Sequence, residues 1–232
     1  MKLKTEHFIE AYFDEWAATL SRAQKLLENS EYHLEGLLLL SCYIGAFARL
    51  RYPSKNDAES YKEVVLRYSG REDLYSSIDL LFLLQWPKSA FRNSPDYKKL
   101  QSYQELATTI ARAFGDEAAL KADDSLRYKS PQEVLSPIEA RPFKGLDMVN
   151  VRSNIGLFSN LELLYRVVRC SAVHENIFPL VNEIYYPDTD ERDYAPNHAI
   201  TGDVLLETSK EILRRLRQDC MDSGKTPFEL WT

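Results

Sequence analysis

Arg169 and His174 are the two residues of this sequence whose types and spacing best suit chemistry, and four residues separate them. An arginine guanidinium can hold a phosphate group through two parallel hydrogen bonds. A histidine imidazole can give or take a proton near neutral pH. The two side chains together predict a minimal site for cleaving an RNA phosphodiester without a metal ion.

Arg166 and Glu162 lie upstream of this pair at the spacing of successive helical turns. A glutamate four residues before an arginine favours an ion pair on a helix surface, which would hold Arg166 in place beside Arg169. Tyr185 is a candidate for stacking on RNA bases, although a tyrosine in a loop more often packs its ring on its own domain. We therefore predict Glu162, Arg166 and Tyr185 as substrate-binding residues.

The segment that must position the pair is a predicted helix that begins at Ser159 and carries apolar residues at helical spacing: Leu163, Leu164, Val167 and Val168. If this helix reaches His174, the two candidate side chains lie about 140° apart around its axis and about 7.5 Å apart along it. One straight helix therefore does not bring them together. Either the helix loosens before Pro179, or a second copy of the chain completes the site across a two-fold axis.

A purely structural role for the same two residues is the alternative at this point. Arginines in the last turns of a helix stabilise the negative end of its dipole, and a histidine before a loop can cap the last carbonyl groups. Arginine and histidine at a fixed spacing also occur often by chance. The types and spacing of the residues alone leave both interpretations open.

The composition of the chain argues against several classes of protein, including strongly basic, metal-binding and membrane-spanning ones. The chain has 232 residues and a net charge of −6, so it is not coated with basic surface, although residues 141–170 carry a local excess of basic groups. Its three cysteines lie far apart in the sequence and are expected to be reduced thiols of a cytoplasmic protein. Cysteine or histidine clusters with metal-ligand spacing are missing, so we expect neither a metal nor another cofactor. The start of the chain does not resemble a signal peptide, and the apolar run 37–48 is too short to span a bilayer.

Helical periodicity dominates the sequence, and strand signals are nearly absent. The pattern predicts one all-α domain over residues 1–232 with helices at 5–29, 31–52, 56–68, 73–85, 94–114, 159–174 and 201–221. Residues 115–156 are expected to form an irregular insertion with short helical turns. Residues 176–198 are rich in Pro, Asp and Asn and predict a long ordered loop.

The spacing of Arg169 and His174 resembles the Arg-x4-6-His motif of ribonucleases in the HEPN superfamily (higher eukaryotes and prokaryotes nucleotide-binding domains). Glu162-x3-Arg166 looks like the acidic-x3-basic pair found upstream in many members, and the apolar helix 34–53 looks like their second helix. The resemblance covers residues 5–53 and 157–220 and leaves the middle unplaced. It implies an all-α, HEPN-like helical bundle with an elaborated middle segment.

The same resemblance implies a metal-independent endoribonuclease, of the kind that serves as a toxin or a phage-defence effector, with Arg169 and His174 as catalytic residues. It also implies RNA as substrate, a homodimer, and an antitoxin or nucleotidyltransferase partner. Many members carry a polar residue, often Asn, directly after the arginine, whereas this chain has Cys170. Because Cys is a poor hydrogen-bonding group, the alternative is a non-catalytic HEPN-like module that binds a nucleotide or a protein.

Overall fold

The computed structural model describes residues 2–88, 95, 99–100, 103–141, 147–170, 181–186, 191–196 and 198–231, with the backbone alone described for residues 2, 3, 88, 167, 168, 170, 181–186 and 191–196. Helices dominate this part of the chain, which confirms the predicted all-α class. The chain divides into two compact units, where the sequence predicts a single domain. One unit comprises Met1–Glu72 with Leu164–Thr232, and the other comprises Asp73–Leu163.

The secondary structure of the described residues is as follows. The α-helices are α1 (Lys2–Leu27), α2 (His33–Arg51), α3 (Asp57–Tyr68), α4 (Glu72–Ser76), α5 (Leu80–Gln85), α6 (Tyr103–Phe114), α7 (Glu117–Ala122), α8 (Asp124–Arg127), α9 (Pro131–Ala140), α10 (Met148–Asn154), α11 (Asn160–Glu162), α12 (Gly202–Ser223) and α13 (Pro227–Trp231). A π-helix, Leu163–Cys170, follows α11 directly. Short 3-10 helices occupy Ser30–Tyr32, Trp86–Lys88 and Ile155–Phe158. Strand β1 (Ile78–Asp79) pairs antiparallel with β2 (Tyr128–Lys129), and β3 (Val181–Tyr186) pairs antiparallel with β4 (Glu191–Pro196).

The first unit is built around α2 and α12, which contact each other and both contact α1 and α3. The core side chains of α2 are fully or almost fully buried and apolar: Leu37, Leu40, Ile44, Phe47 and Ala48. On the neighbouring helices, large apolar side chains recur at helical spacing and complete this core. Burial of these faces is what holds α2 and α3 together, and α3 carries part of the site described below.

The apolar segment that contains α2 is longer than the sequence-based prediction assumed. That prediction judged the run 37–48 too short to span a bilayer, but the longer segment Ser30–Arg51 is apolar enough, on length and composition alone, to cross a membrane. It is the one such segment in the part of the chain that the structure describes. Core helices of globular proteins pass the same test, and α2 packs on four other α-helices: α1, α3, α12 and α13.

Gly36 lets the beginning of α2 approach the end of α1. A Cβ atom at this position would lie 2.8 Å from the backbone nitrogen of Leu27 and 2.9 Å from its Cγ. We therefore expect Gly36→Ala to lower the free energy of unfolding by about 1–3 kcal/mol, because the contact with backbone cannot relax by a side-chain rotation. Urea denaturation measures this, with Gly156→Ala as the control, since nothing lies within 4 Å of that position. Equal stability of the two variants would contradict the prediction.

The second unit has its own apolar core, made mainly by α5, α6 and α9 around residues such as Leu83, Ile110 and Ile138. A buried ion pair joins Asp79, in β1, to Arg127, at the end of α8. Asp79 also accepts a hydrogen bond from the backbone N–H of Phe82 and so caps α5. One carboxylate therefore ties the beginning of α5 to the end of α8.

Two segments differ from their sequence-based predictions. The predicted helix 73–85 is interrupted by β1. In residues 115–156, the described part forms short helices together with β2. Within the predicted loop 176–198, β3 and β4 form a hairpin with Val181 opposite Pro196 and Tyr186 opposite Glu191. β-branched and aromatic residues in 181–186 favour a strand, but β4 is poor in such residues. Its strand conformation depends on cross-strand pairing, which a reading of one segment at a time does not reveal.

Candidate functional site

Arg169 lies on the π-helix that continues α11. Ser159 caps this helical run by accepting a hydrogen bond from the backbone N–H of Glu162, as predicted. From Leu163 the helix follows the π pattern, in which each N–H bonds to the carbonyl five residues earlier. Tyr165 and Arg169, four residues apart, both extend side chains to α3. π-helical segments are rare and are often found at functional sites.

The guanidinium of Arg169 makes a two-pronged contact with the carboxylate of Asp57. Its Nη1 donates to Oδ2, and its Nη2 donates to Oδ1 at 3.0 Å. The hydroxyl of Tyr165 also donates to Asp57 Oδ2, at 3.0 Å. Asp57 is the first residue of α3, where the positive end of the helix dipole favours a negative charge. The carboxylate is thus held by an arginine, a tyrosine and a helix N-terminus together.

Two tyrosine rings and one glycine surround the guanidinium. The Cζ atom of Arg169 lies 5.1 Å from the centroid of the Tyr61 ring and 5.4 Å from that of the Tyr165 ring. On α2, a Cβ atom at Gly45 would come within 3.2 Å of Arg169 Nη2, so the missing side chain leaves room for the guanidinium. We call Gly45, Asp57, Tyr61 and Tyr165 the arginine cradle. The aromatic faces attract the cation at distances typical of cation–π contacts.

The electrostatics of the cradle keep both partners charged. The hydrogen bond from Arg169 lowers the pKa of Asp57 below its usual value against the opposing effect of burial, and the Tyr165 hydroxyl and the charge of Arg49 lower it further. Burial acts to lower the pKa of Arg169, but the hydrogen bond and the charge of Asp57 outweigh it, so that pKa is raised. Neither group titrates near neutral pH, and the pair is ionic under physiological conditions.

Of the predicted site residues, Arg169 is the one whose side-chain partners on α2 and α3 the structure describes. Glu162, in α11, and Arg166, on the π-helix, are both half-buried, and their mutual ion pair stays a prediction. His174 lies outside the described residues. Tyr185 lies in β3 opposite Arg192, and its side chain lies outside the described part. The distance between Arg169 and His174, which decides whether they form a pair, therefore also stays a prediction.

Sequence reasoning missed the four residues of the arginine cradle. The spacing of these residues does place two pairs of them on common helix faces. Asp57 and Tyr61 are four residues apart on α3, and Tyr165 and Arg169 are four residues apart on the π-helix. Each pair therefore shares one helical face. Nothing in the sequence indicates that these two faces meet, since Asp57 and Arg169 are 112 residues apart.

A second cluster of similar residue types provides a comparison within the same unit. Arg51 Nε donates to the Tyr68 hydroxyl at 2.6 Å, and that hydroxyl donates to Asp219 Oδ2 at 2.7 Å. Arg51 Nε itself lies 3.9 Å from that carboxylate oxygen. Burial, the largest cause, raises the pKa of Tyr68 to about 12. The arginine here reaches its carboxylate chiefly through a tyrosine, so the direct two-pronged contact distinguishes the Arg169 site from this one.

Within the described ranges, no group of three or more His, Cys, Asp or Glu side chains is arranged to hold a metal ion. The Arg169 guanidinium lies beside two aromatic rings and a glycine, and it binds the Asp57 carboxylate. Comparison with known proteins finds no match to this chain among protein families, curated proteins or solved structures.

Proposed function

We propose that this chain is an HEPN-type, metal-independent endoribonuclease in which Arg169 binds the scissile phosphate and His174 transfers protons. The observation that carries the proposal is the two-pronged contact between Arg169 and the Asp57 carboxylate. Arginine presents the same pair of donors to carboxylates and to phosphates. A guanidinium held in the arginine cradle is therefore positioned to grip a phosphodiester in the same way.

The reaction follows from the groups that the proposal assigns. His174 acts as the general base, which takes the proton of the RNA 2′-hydroxyl while that oxygen attacks the neighbouring phosphorus, or as the general acid, which gives a proton to the leaving 5′-oxygen. Arg169, with Arg166 nearby on the π-helix, stabilises the negative charge that grows on the phosphoryl oxygens. The bond from phosphorus to the 5′-oxygen breaks, and the leaving oxygen takes up a proton. The products are a 2′,3′-cyclic phosphate and a 5′-hydroxyl end.

The partners follow from the same proposal. The substrate is RNA, with Tyr185 stacking on a base and Glu162 holding Arg166 in position. A homodimer brings a second Arg169 and His174 to the two-fold axis. The activity belongs to a cytoplasmic toxin or phage-defence effector, which is controlled by an antitoxin or nucleotidyltransferase partner.

A non-catalytic HEPN-like module that binds a nucleotide or a protein is the second candidate. One observation favours it: Asp57 already occupies both outer nitrogens of Arg169. In that case the ion pair serves to join α3 to the π-helix, and the cradle is part of the architecture. The two candidates differ in whether purified protein cuts RNA.

The test of the endoribonuclease is incubation of the purified protein with total RNA in EDTA, followed by chemical identification of the new ends. The matched control is the His174→Ala variant, purified in parallel to reveal contaminating nucleases. We expect cleavage that EDTA does not inhibit, that leaves 2′,3′-cyclic phosphate ends, and that the variant lacks. Equal cleavage by both preparations, or ends of another type, would overturn the proposal in favour of the binding module.

A further inference from the structure

We propose that Asp57 is the resting occupant of the phosphate site, and that its carboxylate must leave Arg169 before a phosphodiester can bind there. This inference rests on the proposed function and concerns how the same site is controlled. Asp57 uses the two outer nitrogens of Arg169, which are the donors that a phosphate would need. The other edge of the guanidinium, formed by Nε and Nη2, faces α2 at Gly45. A carboxylate and a phosphodiester therefore compete for the outer pair of donors.

The exposed fractions of the two side chains indicate which partner of the ion pair moves. The side chain of Asp57 is 48% exposed, whereas that of Arg169 is 21% exposed. A half-exposed carboxylate regains water when it turns away, and at the first position of α3 it keeps the favourable helix dipole. Release of Asp57 therefore returns that carboxylate to water, and the phosphate takes its place as the partner of the more buried Arg169.

Arg169 stays in place when Asp57 leaves, because its other contacts do not involve that carboxylate. The rings of Tyr61 and Tyr165 lie next to the guanidinium, and the backbone of α2 at Gly45 lies beside Nη2. Cation–π attraction persists without the ion pair. The site that results is a fixed guanidinium with both outer nitrogens open to a phosphate.

Asp57 also repels any approaching polyanion while it remains charged. Its pKa is held below the usual value, first by the hydrogen bond from Arg169, so it carries its charge throughout the neutral range. The resting site is thus electrically balanced, and RNA gains the full attraction of Arg169 only after Asp57 has turned away. Asp57 makes the affinity for RNA lower than Arg169 alone would allow.

Binding of RNA tests this competition in a background that cannot cleave. His174→Ala protein and its Asp57→Asn derivative are titrated with a short fluorescein-labelled single-stranded RNA of mixed sequence, and anisotropy is recorded at several salt concentrations. We expect Asp57→Asn to bind about tenfold more tightly, and the salt slope to steepen by about 0.7 for one added phosphate contact. Replacing Arg169 with Gln in the Asp57→Asn protein should abolish the gain.

The matched control is Asp219→Asn, which removes one carboxylate from the comparable Arg51, Tyr68 and Asp219 cluster. It should leave RNA affinity unchanged, whereas an equal gain would mean that only net charge matters and would overturn the proposal. If Asp57→Asn does not fold, Tyr165→Phe replaces it, because this change removes one hydrogen bond that holds Asp57 in place. A smaller, Arg169-dependent gain is then expected, and its absence counts against the proposal.

The binding and cleavage assays together distinguish a failure of this proposal from a failure of the proposed endoribonuclease function. Wild-type cleavage in EDTA without tighter binding by Asp57→Asn would retain the enzyme and reject Asp57 as a competitor. Tighter, Arg169-dependent binding without wild-type cleavage would retain the competition and reject the enzyme, leaving a phosphate-binding module.

Discussion

Replacing Arg169 with Lys should lower the rate of RNA cleavage by at least about two orders of magnitude. Lysine keeps the positive charge, so it can still pair with Asp57 and need not disturb the fold. It lacks the planar fork that can grip two oxygens of a phosphate. The loss of cleavage rate therefore reports the two-pronged contact of the guanidinium rather than the positive charge at position 169. Cleavage of a labelled RNA in EDTA, together with far-ultraviolet circular dichroism, gives both activity and folding.

Arg51→Lys is the matched control, because Arg51 also lies over tyrosine rings and near a carboxylate but belongs to the other cluster. It should leave cleavage unchanged. Combining Arg169→Lys with His174→Ala should reduce activity no further than His174→Ala alone, since residues that act as one unit are not additive. An Arg169→Lys protein that cleaves at the wild-type rate would show that the cradle is only structural.

Replacing Arg127 with Ala should destabilise the second unit by about 3–5 kcal/mol. Arg127 Nε donates to Asp79 Oδ1 at 2.9 Å, and its Nη2 donates to Oδ2 at 2.7 Å. The Asp79 side chain is only 1% exposed, so removal of the arginine leaves a carboxylate that water cannot reach. The same carboxylate caps α5, and the loss therefore extends to the beginning of that helix.

Thermal unfolding followed by circular dichroism measures this effect, and the expected fall in the melting temperature exceeds about 10 °C for a unit of this size. Arg152→Ala is the control, because it breaks an exposed ion pair with Glu139 in the same unit and should cost less than about 1 kcal/mol. Adding Asp79→Asn to Arg127→Ala should restore part of the stability, since asparagine caps a helix without a charge. Similar melting temperatures for Arg127→Ala and Arg152→Ala would contradict the prediction.

Helix beginnings are the part of this fold that the sequence predicts best. Asn56, Ser130, Ser159 and Thr201 each accept a capping hydrogen bond at the beginning of a helix, and predicted helices begin at or next to three of them, Asn56, Ser159 and Thr201. A cap depends on a side chain and on backbone groups two or three residues away, so its whole cause lies within one short segment. The long apolar pattern of α2 is equally local, and it indicates a buried helix for the same reason.

β4 and the break in the predicted helix 73–85 show where local patterns fail. Residues 78 and 79 leave the helix to pair with β2, about fifty residues later in the chain. Likewise, β4 exists because β3 offers it a partner. In both cases the conformation is chosen by a hydrogen-bonding neighbour from another segment, and propensity within a single segment does not report it.

By itself, the sequence determined the helical class of this protein, the beginnings of several of its helices, and the choice of Arg169 as the residue with the most chemical promise. Only the tertiary structure decided that Arg169 meets Asp57 between two tyrosines and beside a glycine. The physical reason is distance along the chain: caps and periodicity act over a few residues, whereas the surroundings of Arg169 are made by packing faces from α2, α3 and the π-helix. The contacts around this arginine therefore come from segments whose own patterns predict only helix.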